Sequence, residues 1–320
     1  MLVSLFRTNR PAVLLLLAVL VPLVLLGTWD GPAGTGTAHM PLYALVRAVV
    51  GGSAWGAWAL GVLVTGLVCV QLTALANDTD LLDQRTHLPA LLFPLLVGAF
   101  AQGALLDPAL AGMPLVVAAM RRVFRADPAG NVLPHLFQAG FLLGVAALFF
   151  LPWLFLVVVV FTTLSITRPF RWREYAVPVV GAAVALYLGW SAVHLFGWGH
   201  WEPFRSVWPG PAPPAPPRGQ RIALYATCAL LALIAVPVYA AGYQRSVVRV
   251  RNRRASFMGL MAAMLVLVLL MHALTGRFPP AMAAMPLAVF LGHALTGRRF
   301  AWARETLVAA LLLCALWAQW

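Results

Sequence analysis

The sequence has no lysine, nine acidic residues and only three cysteines among its 320 residues. Charged residues make up 10% of the chain, whereas an ordinary soluble domain carries about 25%. This shortage of charge excludes a soluble enzyme. The cysteines, Cys69, Cys228 and Cys314, all lie inside apolar runs, where neither a disulfide framework nor a thiolate metal site is expected. We therefore predict that they are small, buried apolar side chains.

The basic residues are all arginine, and the net charge is +13. A protein that binds nucleic acid would gather such charge on one polar face. Here the 22 arginines fall singly or in short clusters between apolar runs, a pattern that is typical of the loops of a membrane protein. The sequence therefore predicts membrane lipid as a partner and no nucleic acid.

Apolar runs follow one another along most of the chain, which is 62% apolar with a mean hydropathy of +0.89. A bilayer requires about 20 apolar residues for each crossing helix. The predicted fold is an all-α polytopic membrane helix bundle of about eleven transmembrane helices. The spans are expected near residues 12–29, 54–76, 88–105, 108–120, 134–150, 152–167, 175–196, 222–243, 256–274, 280–296 and 303–319. The run 108–120 is short, so a full crossing and a re-entrant segment both stay open.

The arginines predict the orientation of these spans. Residues 137–167 carry no charge, and as one helix they would be about 46 Å long, against about 30 Å for the bilayer core. We therefore predict a hairpin hinged near Leu151 and Pro152. With eleven spans and the N-terminus inside, seventeen of the 22 arginines lie on the cytoplasmic side, which positive residues prefer. The C-terminus is then predicted to be outside.

A proline-rich stretch divides the chain. Its central run, Pro209–Pro217, can form neither a helix nor a strand ladder and is expected to be extended. We predict an exterior linker over residues 203–221, between a seven-span bundle, residues 1–202, and a four-span bundle, residues 222–320.

A short amphipathic segment lies near residues 40–50, on the predicted exterior side. Leu42, Leu45, Val46 and Val49 share one helical face, and Arg47 lies opposite. This pattern predicts a helix that lies in the membrane interface.

All nine acidic residues lie in loops or at span ends. Proton-coupled carriers place carboxylates within the membrane, so a charge-relay transporter is disfavoured. On the exterior side Asp30 follows the first span and Asp107 begins the fourth. Two such carboxylates could serve as a general base and as an orienting or metal-binding group, and they are the candidate catalytic residues. The sequence indicates no particular cofactor or metal.

Other exterior residues could bind the phosphate of a lipid, because arginine forms bidentate hydrogen bonds with phosphate oxygens. The candidates are His200, Glu202, Arg205 and Arg277.

A basic aromatic motif, Arg168-Pro-Phe-Arg-Trp-Arg-Glu174, leads into a span from the cytoplasmic side. Glu174 suits the positive end of a helix, Trp172 suits the membrane interface, and Arg168 and Arg173 suit anionic headgroups. We predict that these four residues form an interface anchor. A second segment, Gln244–Arg254, carries five arginines in eleven residues and is expected to bind anionic lipid or simply to fix the topology.

The order of Asp30, the segment 40–50 and Asp107 resembles the membrane glycosyltransferases that use polyprenyl-phosphate sugars. The likeness covers residues 1–175 and includes Asp107-Pro108 and the segment Ala139–Leu148. It implies an enzyme that transfers sugar at the outer face, with Asp30 and Asp107 in its active site. The chain departs from that superfamily because Gly31 and Pro32 follow Asp30, where paired acidic residues are usual.

A second resemblance is to an uncharacterised family of bacterial multi-span inner-membrane proteins of about 300 residues. It is carried by four segments of the first half, Ser4–Asn9, Leu88–Phe93, Ala139–Gly144 and Arg168–Glu174. The resemblance implies the architecture and location of a multi-pass protein of the bacterial inner membrane, and no activity.

Three functions follow as expectations. The favoured one is a non-enzymatic component that handles lipid or joins an envelope assembly, with membrane lipid and other envelope proteins as partners. The alternatives are a glycosyltransferase-like enzyme acting on a polyprenyl-phosphate-linked sugar at the outer face, and a solute carrier.

Overall fold

A computed structural model describes residues 2–7, 12–28, 40–100, 105–126, 130–197, 217–276, 278–296 and 301–318. Helices account for 86% of these residues, and none of them lies in a strand. The all-α class predicted from the sequence is therefore confirmed for the described part of the chain.

The helices are numbered in chain order. They are α1 (Leu2–Phe6), α2 (Ala12–Val24), α3 (Pro41–Val50), α4 (Ala54–Asp78), α5 (Leu88–Phe100), α6 (Pro108–Arg125), α7 (Leu133–Ala147), α8 (Val157–Thr167), α9 (Trp172–Phe196), α10 (Arg218–Arg245), α11 (Val248–Thr275), α12 (Pro280–Thr296) and α13 (Ala301–Trp317). Short 3₁₀ helices cover Leu26–Thr28 and Leu151–Leu156.

Four helices, α4, α9, α10 and α11, are long and apolar enough to cross a membrane. They have 25 to 28 residues, and at a rise of about 1.5 Å per residue each exceeds the thickness of a bilayer core, about 30 Å. Their outer faces carry exposed aliphatic side chains such as Leu63, Leu188, Leu233 and Leu265. Only 17% of the apolar window of α10 is buried inside the molecule, a degree of exposed apolar surface that is expected where lipid covers a protein.

The centre of the molecule is formed by α5, α6 and α12. Every residue of α5 is buried, and α12 packs against both α5 and α10, while α6 packs against α4 and α7. Helix α6 runs for 18 residues, five residues beyond the predicted span 108–120. Its last turn carries Arg122 and Arg125, which end the apolar pattern in the sequence but are compatible with a helix C-terminus.

The uncharged stretch 137–167 is broken where the hinge was predicted. Helix α7 ends at Ala147, a 3₁₀ helix begins at Leu151, and α8 starts at Val157. The two outer ends of this hairpin meet, because Arg168 donates a hydrogen bond to the carbonyl of Gly130 at 3.1 Å. The predicted hinge near Leu151 and Pro152 is confirmed.

Glycines allow α7 and α9 to approach closely. A Cβ atom on Gly140 would lie 2.0 Å from the carbonyl oxygen of Pro178, and one on Gly181 would lie 2.4 Å from that of Phe137. Because these neighbours are backbone atoms, no side-chain movement could make room. The segment Ala139–Gly144 therefore acts as a packing surface of the small-xxx-small kind.

The structure describes only the C-terminal end of the predicted linker, 203–221. Helix α10 already begins at Arg218, so the last four residues of 203–221 are helical, and residues 203–216 lie outside the described part. The segments on either side of the linker also touch, since α12 and α13 both pack on α5.

Helix α3 lies where the interfacial helix was predicted, and Tyr43 attaches it to the bundle. The Tyr43 hydroxyl donates to the carbonyl of Leu106 at 3.1 Å, and the backbone N–H of Leu42 donates to the carbonyl of Leu148 at 3.2 Å. Leu45 and Val49 remain exposed. The helix ends at Gly51, whose φ of 63° suits a residue without a Cβ atom.

Candidate anion-binding cavity

A cavity of about 430 Å³ lies where α6, α7, α8 and α11 converge, at one end of each helix. It is lined by the last turns of α6 and α8 and the first turns of α7 and α11. This volume lies within the range of about 300–1,000 Å³ that is usual for small-molecule sites.

The wall of the cavity is mainly apolar. Val123 and Phe124 of α6, Leu136 of α7 and Leu164 of α8 line it and are buried. Asn252 of α11 donates a hydrogen bond of 3.5 Å to the carbonyl of Ile166, which connects α11 to the end of α8. The wall would suit a hydrocarbon chain.

Three arginines lie at the helix ends that surround the cavity. Arg168 forms an ion pair with Glu174 at 2.9 Å, and both side chains are about nine-tenths buried, at 11% and 8% exposure. Arg253 lies 3.7 Å from Asp80. Arg249 is exposed and forms no ion pair with any residue that the structure describes. No acidic residue contributes to the described lining, so the local charge is positive.

The N-terminus of α11 adds to this positive field. Val247 caps the helix without a side-chain hydrogen bond, and Val248 and Arg249 of the first turn line the cavity. The first N–H groups of a helix have no partner within the helix, and together with the helix dipole they favour an anion.

Thr163 of α8 is a buried polar residue of the cavity lining, and it differs from the others in its hydrogen bonding. Its residue is 3% exposed, and its hydroxyl has no hydrogen-bond partner within the described ranges. A buried hydroxyl without a partner costs about 1–3 kcal/mol. Because that oxygen is itself buried, it does not open onto the cavity.

A second polar cluster lies at the same end of the bundle, and it changes the interpretation of the segment Gln244–Arg254. Arg254 belongs to α11, and its side chain is only 3% exposed. It forms an ion pair with Asp83 at 2.6 Å, and the Asp83 side chain is 44% exposed. Arg254 is therefore paired inside the bundle, and the expectation that the segment as a whole binds anionic lipid or fixes the topology stays a prediction.

Small and aromatic residues enclose the Arg254 guanidinium. A Cβ atom on Gly242 would lie 2.6 Å from Nη1 of Arg254, so a larger residue there would have to displace the guanidinium. The Tyr239 hydroxyl donates to the carbonyl of Arg254 at 2.9 Å, and the Tyr239 ring packs edge-on against His293. The His293 ring nitrogens lie 3.1 Å from the carbonyls of Phe290 and Leu81, which joins α12 to the loop after α4.

Asp107, one of the two candidate catalytic residues, is the N-cap of α6. Its carboxylate accepts a hydrogen bond from the backbone N–H of Leu110. Burial, with the nearby Asp107 carboxylate as a second cause, raises the pKa of Tyr43 to about 12. Tyr43 thus stays protonated near neutral pH and keeps its hydrogen bond to Leu106.

The other exterior candidates lie outside the described residues. They are Asp30, His200, Glu202, Arg205 and Arg277. The exterior site predicted around Asp30 and Asp107 therefore stays a prediction. Among the described residues, no three His, Cys, Asp or Glu side chains are grouped to hold a metal ion.

The predicted interface anchor, Arg168, Trp172, Arg173 and Glu174, divides into two parts. Trp172 is exposed, with the Arg173 guanidinium 5.7 Å from its ring centroid, as an interface anchor would be. Arg168 and Glu174 instead pair with each other and are mostly buried. Arg168 was predicted to face headgroups directly, but it lines the cavity with its charge partly compensated by Glu174.

Sequence reasoning missed Asp83 and Arg254 because these partners are distant along the chain. Asp83 and Arg254 are separated by 171 residues, and no local pattern links them. One signal was present for Arg249, since it belongs to the arginine-rich segment that had been considered for lipid binding.

Neither a curated protein nor a solved structure matches the chain. A family model does match, over residues 53–318, and it is described as a family of unknown function, DUF6427. The match extends well past the first-half segments on which the likeness to an uncharacterised family rested, and it excludes Ser4–Asn9. The chain therefore belongs to this family of unknown function, DUF6427.

Proposed function

We propose that the chain is a multi-pass protein of the bacterial inner membrane that binds an anionic lipid in the cavity between α6, α7, α8 and α11. In this proposal it crosses the membrane eleven times, with its N-terminus in the cytoplasm and its C-terminus outside. It handles lipid for the envelope without catalysing a reaction.

The positions of the ion pairs support this topology. Asp78 pairs with Arg121 and Arg125, Asp83 with Arg254, and Arg168 with Glu174. All of these residues belong to segments that the arginine bias assigns to the cytoplasm. Each predicted span also overlaps one helix, from α2 and from α4 to α13.

One observation carries the functional proposal: an apolar cavity has arginines at its mouth and no carboxylate in its described lining. An anionic headgroup would bind Arg249, Arg253 and the N-terminus of α11, while the hydrocarbon chain would lie against Phe124 and Leu136. A small free anion would use only the charged mouth and leave the wall empty. The arrangement therefore favours an amphiphile.

Arg249 allows a direct test. We expect Arg249→Gln to weaken binding of a fluorescent phosphatidic acid in neutral detergent about five- to tenfold, because one charge-assisted contact of about 1–1.5 kcal/mol is lost. Arg251→Gln is the matched control, since Arg251 is an exposed arginine of the same helix that does not line the cavity. We expect that variant to stay within about twofold of the wild type, as a solvent-exposed charge should.

Equal losses in the two variants would indicate attraction to a general basic surface and would contradict the proposal. Inorganic phosphate at the lipid's concentration should not displace the probe. Displacement would show that the site takes a free anion.

One observation favours the enzyme alternative. Helix α3 is attached to the bundle beside Asp107, and the glycosyltransferase resemblance implies an interfacial helix and an acidic residue in this order along the chain. Asp107→Asn keeps a residue that caps helices well. A folded Asp107→Asn protein that loses sugar transfer from a polyprenyl phosphate would favour the enzyme, and uptake of a solute into proteoliposomes would favour a carrier.

A further inference from the structure

A second cavity, of about 500 Å³, lies at the C-terminal end of α10. Its described lining consists of Asp83, from the loop after α4, and of residues from the segment 237–246. This Asp83 cavity shares no lining residue with the anion-binding cavity. We infer that it binds the headgroup of a zwitterionic phospholipid with a primary ammonium group, that is, a phosphatidylethanolamine. The inference goes beyond the proposed function, which concerns an anionic lipid at other residues.

Two charged side chains of opposite sign line the Asp83 cavity. The Asp83 side chain is 44% exposed, and its Oδ1 atom accepts a hydrogen bond from Nη2 of Arg254 at 2.6 Å. Its Oδ2 atom accepts no hydrogen bond from a residue that the structure describes, and a carboxylate has about four acceptor positions. Arg245, in the last turn of α10, is exposed and has no ion pair within the described ranges. The cavity therefore offers an accessible acceptor and an accessible cation.

Arg254 and Gly242 fix the position of the Asp83 carboxylate. The Arg254 side chain is buried, and it binds Asp83 from inside the bundle. A Cβ atom on Gly242 would lie 3.2 Å from both carboxylate oxygens, so the carboxylate lies directly against the backbone of α10. Because Gly242 also lines the cavity, the carboxylate is held at the cavity wall. A group that is already ordered loses little freedom when it binds a ligand.

An exposed ridge of α10 leads from Arg245 towards the middle of the helix. Leu233, Pro237, Ala241 and Arg245 follow one another at intervals of four residues, a spacing that forms a ridge on a helix surface. All four are exposed, and the three that precede Arg245 are apolar. The ridge is about 18 Å long. An acyl chain could therefore lie along it while the headgroup occupies the cavity.

The two charges separate classes of phospholipid headgroup. Arg245 suits the phosphate, and Asp83 suits an ammonium group with N–H donors. Phosphatidylcholine has the same two charges, but its quaternary ammonium has no N–H group to donate. Phosphatidylglycerol has no cation, so the Asp83 charge opposes its phosphate. Among these three, phosphatidylethanolamine is the headgroup that suits both side chains.

The test compares phosphatidylethanolamine with phosphatidylcholine of the same acyl chains, each with a fluorescent label on one chain, in neutral detergent. We expect the wild type to bind the ethanolamine probe about two- to fivefold more tightly, as a partly solvated charge pair allows. Asp83→Asn should bind the two probes equally. Asp80→Asn should keep the preference and is the matched control, since Asp80 is an exposed carboxylate of the same loop that does not line this cavity.

Partial unfolding of Asp83→Asn does not obscure this result, because the ratio of two affinities measured on one preparation does not depend on the folded fraction. Equal affinities of the wild type for the two probes would overturn the inference. A preference that persists in Asp83→Asn, or one that Asp80→Asn also loses, would overturn it as well.

Arg245→Gln tests the phosphate contact at an exposed position, where the substitution should leave the fold intact. We expect it to weaken both probes about two- to fivefold, because both carry the phosphate, whereas Arg251→Gln should weaken neither. Unchanged affinities in Arg245→Gln would overturn the assignment. Soluble glycerophosphoethanolamine at the probe's concentration should not displace the lipid, since it has no acyl chain for the ridge. Displacement would show that the cavity takes a free zwitterion and would overturn the assignment to a membrane lipid.

Discussion

At the scale of single residues, Arg254 is the side chain whose environment constrains the molecule most. Its guanidinium is buried, and Nε and Nη1 have no hydrogen-bond partner among the described residues, so Asp83 is the main compensation for its charge. A buried charge that loses its partner is costly. The neighbouring residue Arg253 pairs with Asp80, three residues before Asp83. This ion pair is longer and more exposed than the pair of Arg254 with Asp83.

We expect Asp83→Asn to destabilise the protein by about 1–3 kcal/mol, below the full value for a buried pair because the Asp83 carboxylate is partly solvated. Asp80→Asn should cost less than about 0.5 kcal/mol, because Asp80 is 57% exposed and 3.7 Å from Arg253. Unfolding by SDS, followed by circular dichroism, measures both. Equal stabilities of the two variants would contradict the role assigned to Asp83.

The sequence predicted individual residues well where burial follows from hydropathy alone. Cys69 and Cys314 are buried and all three cysteines are free, although Cys228 is only partly buried. Trp172 is exposed as an interface residue should be. Buried polar residues such as Arg254 and Thr163 could not be predicted, since their burial depends on which helices meet.

At the scale of helices, the apolar runs predicted the approximate length and position of each helix, but not the residues at which it begins and ends. Helix α11 begins at Val248, eight residues before the predicted span, because a helix can continue through arginines whose long side chains reach solvent or a carboxylate. Helix α10 begins at Arg218 for the same reason. The close pairing of α7 with α9 was not predicted, although the glycines that permit it were visible in the segment Ala139–Gly144.

Gly140 tests this pairing. A Cβ atom there would lie 2.0 Å from the Pro178 carbonyl oxygen, so Gly140→Ala must separate two backbones, and we expect a loss of about 2–3 kcal/mol. Gly66→Ala in α4 is the control, because a Cβ atom there meets nothing within 4 Å and alanine favours helix. The same SDS titration measures both. A Gly140→Ala protein as stable as the control variant would show that α7 and α9 do not touch as described.

At the scale of the whole molecule, the alternation of helices places charges at one end. Asp78 and Asp83 meet arginines there that come from distant parts of the chain, and Glu174 meets the nearby Arg168. The arginine bias alone predicted which segments share a side, on the expectation that each span reverses the chain. It could not show that a cavity forms between four of the helix ends.

Impermeant maleimide labelling of single cysteines tests this topology, with the three native cysteines replaced. We expect Ala54→Cys to be labelled from outside intact bacteria and Arg251→Cys only after the membrane is opened, because both positions are exposed but lie at opposite ends in the proposed orientation. Labelling of Arg251→Cys from outside would contradict an N-terminus in the cytoplasm.

The most direct test of the central claim is to map where lipid binds. A phosphatidic acid with a photoreactive group in its acyl chain would be crosslinked to the protein in nanodiscs, and the modified peptides would be identified by mass spectrometry. The account predicts crosslinks to the cavity wall at Val123, Phe124 and Leu136, and their loss in Arg249→Gln but not in Arg251→Gln. Crosslinks confined to the outer faces of α9 and α10, unchanged in Arg249→Gln, would contradict it.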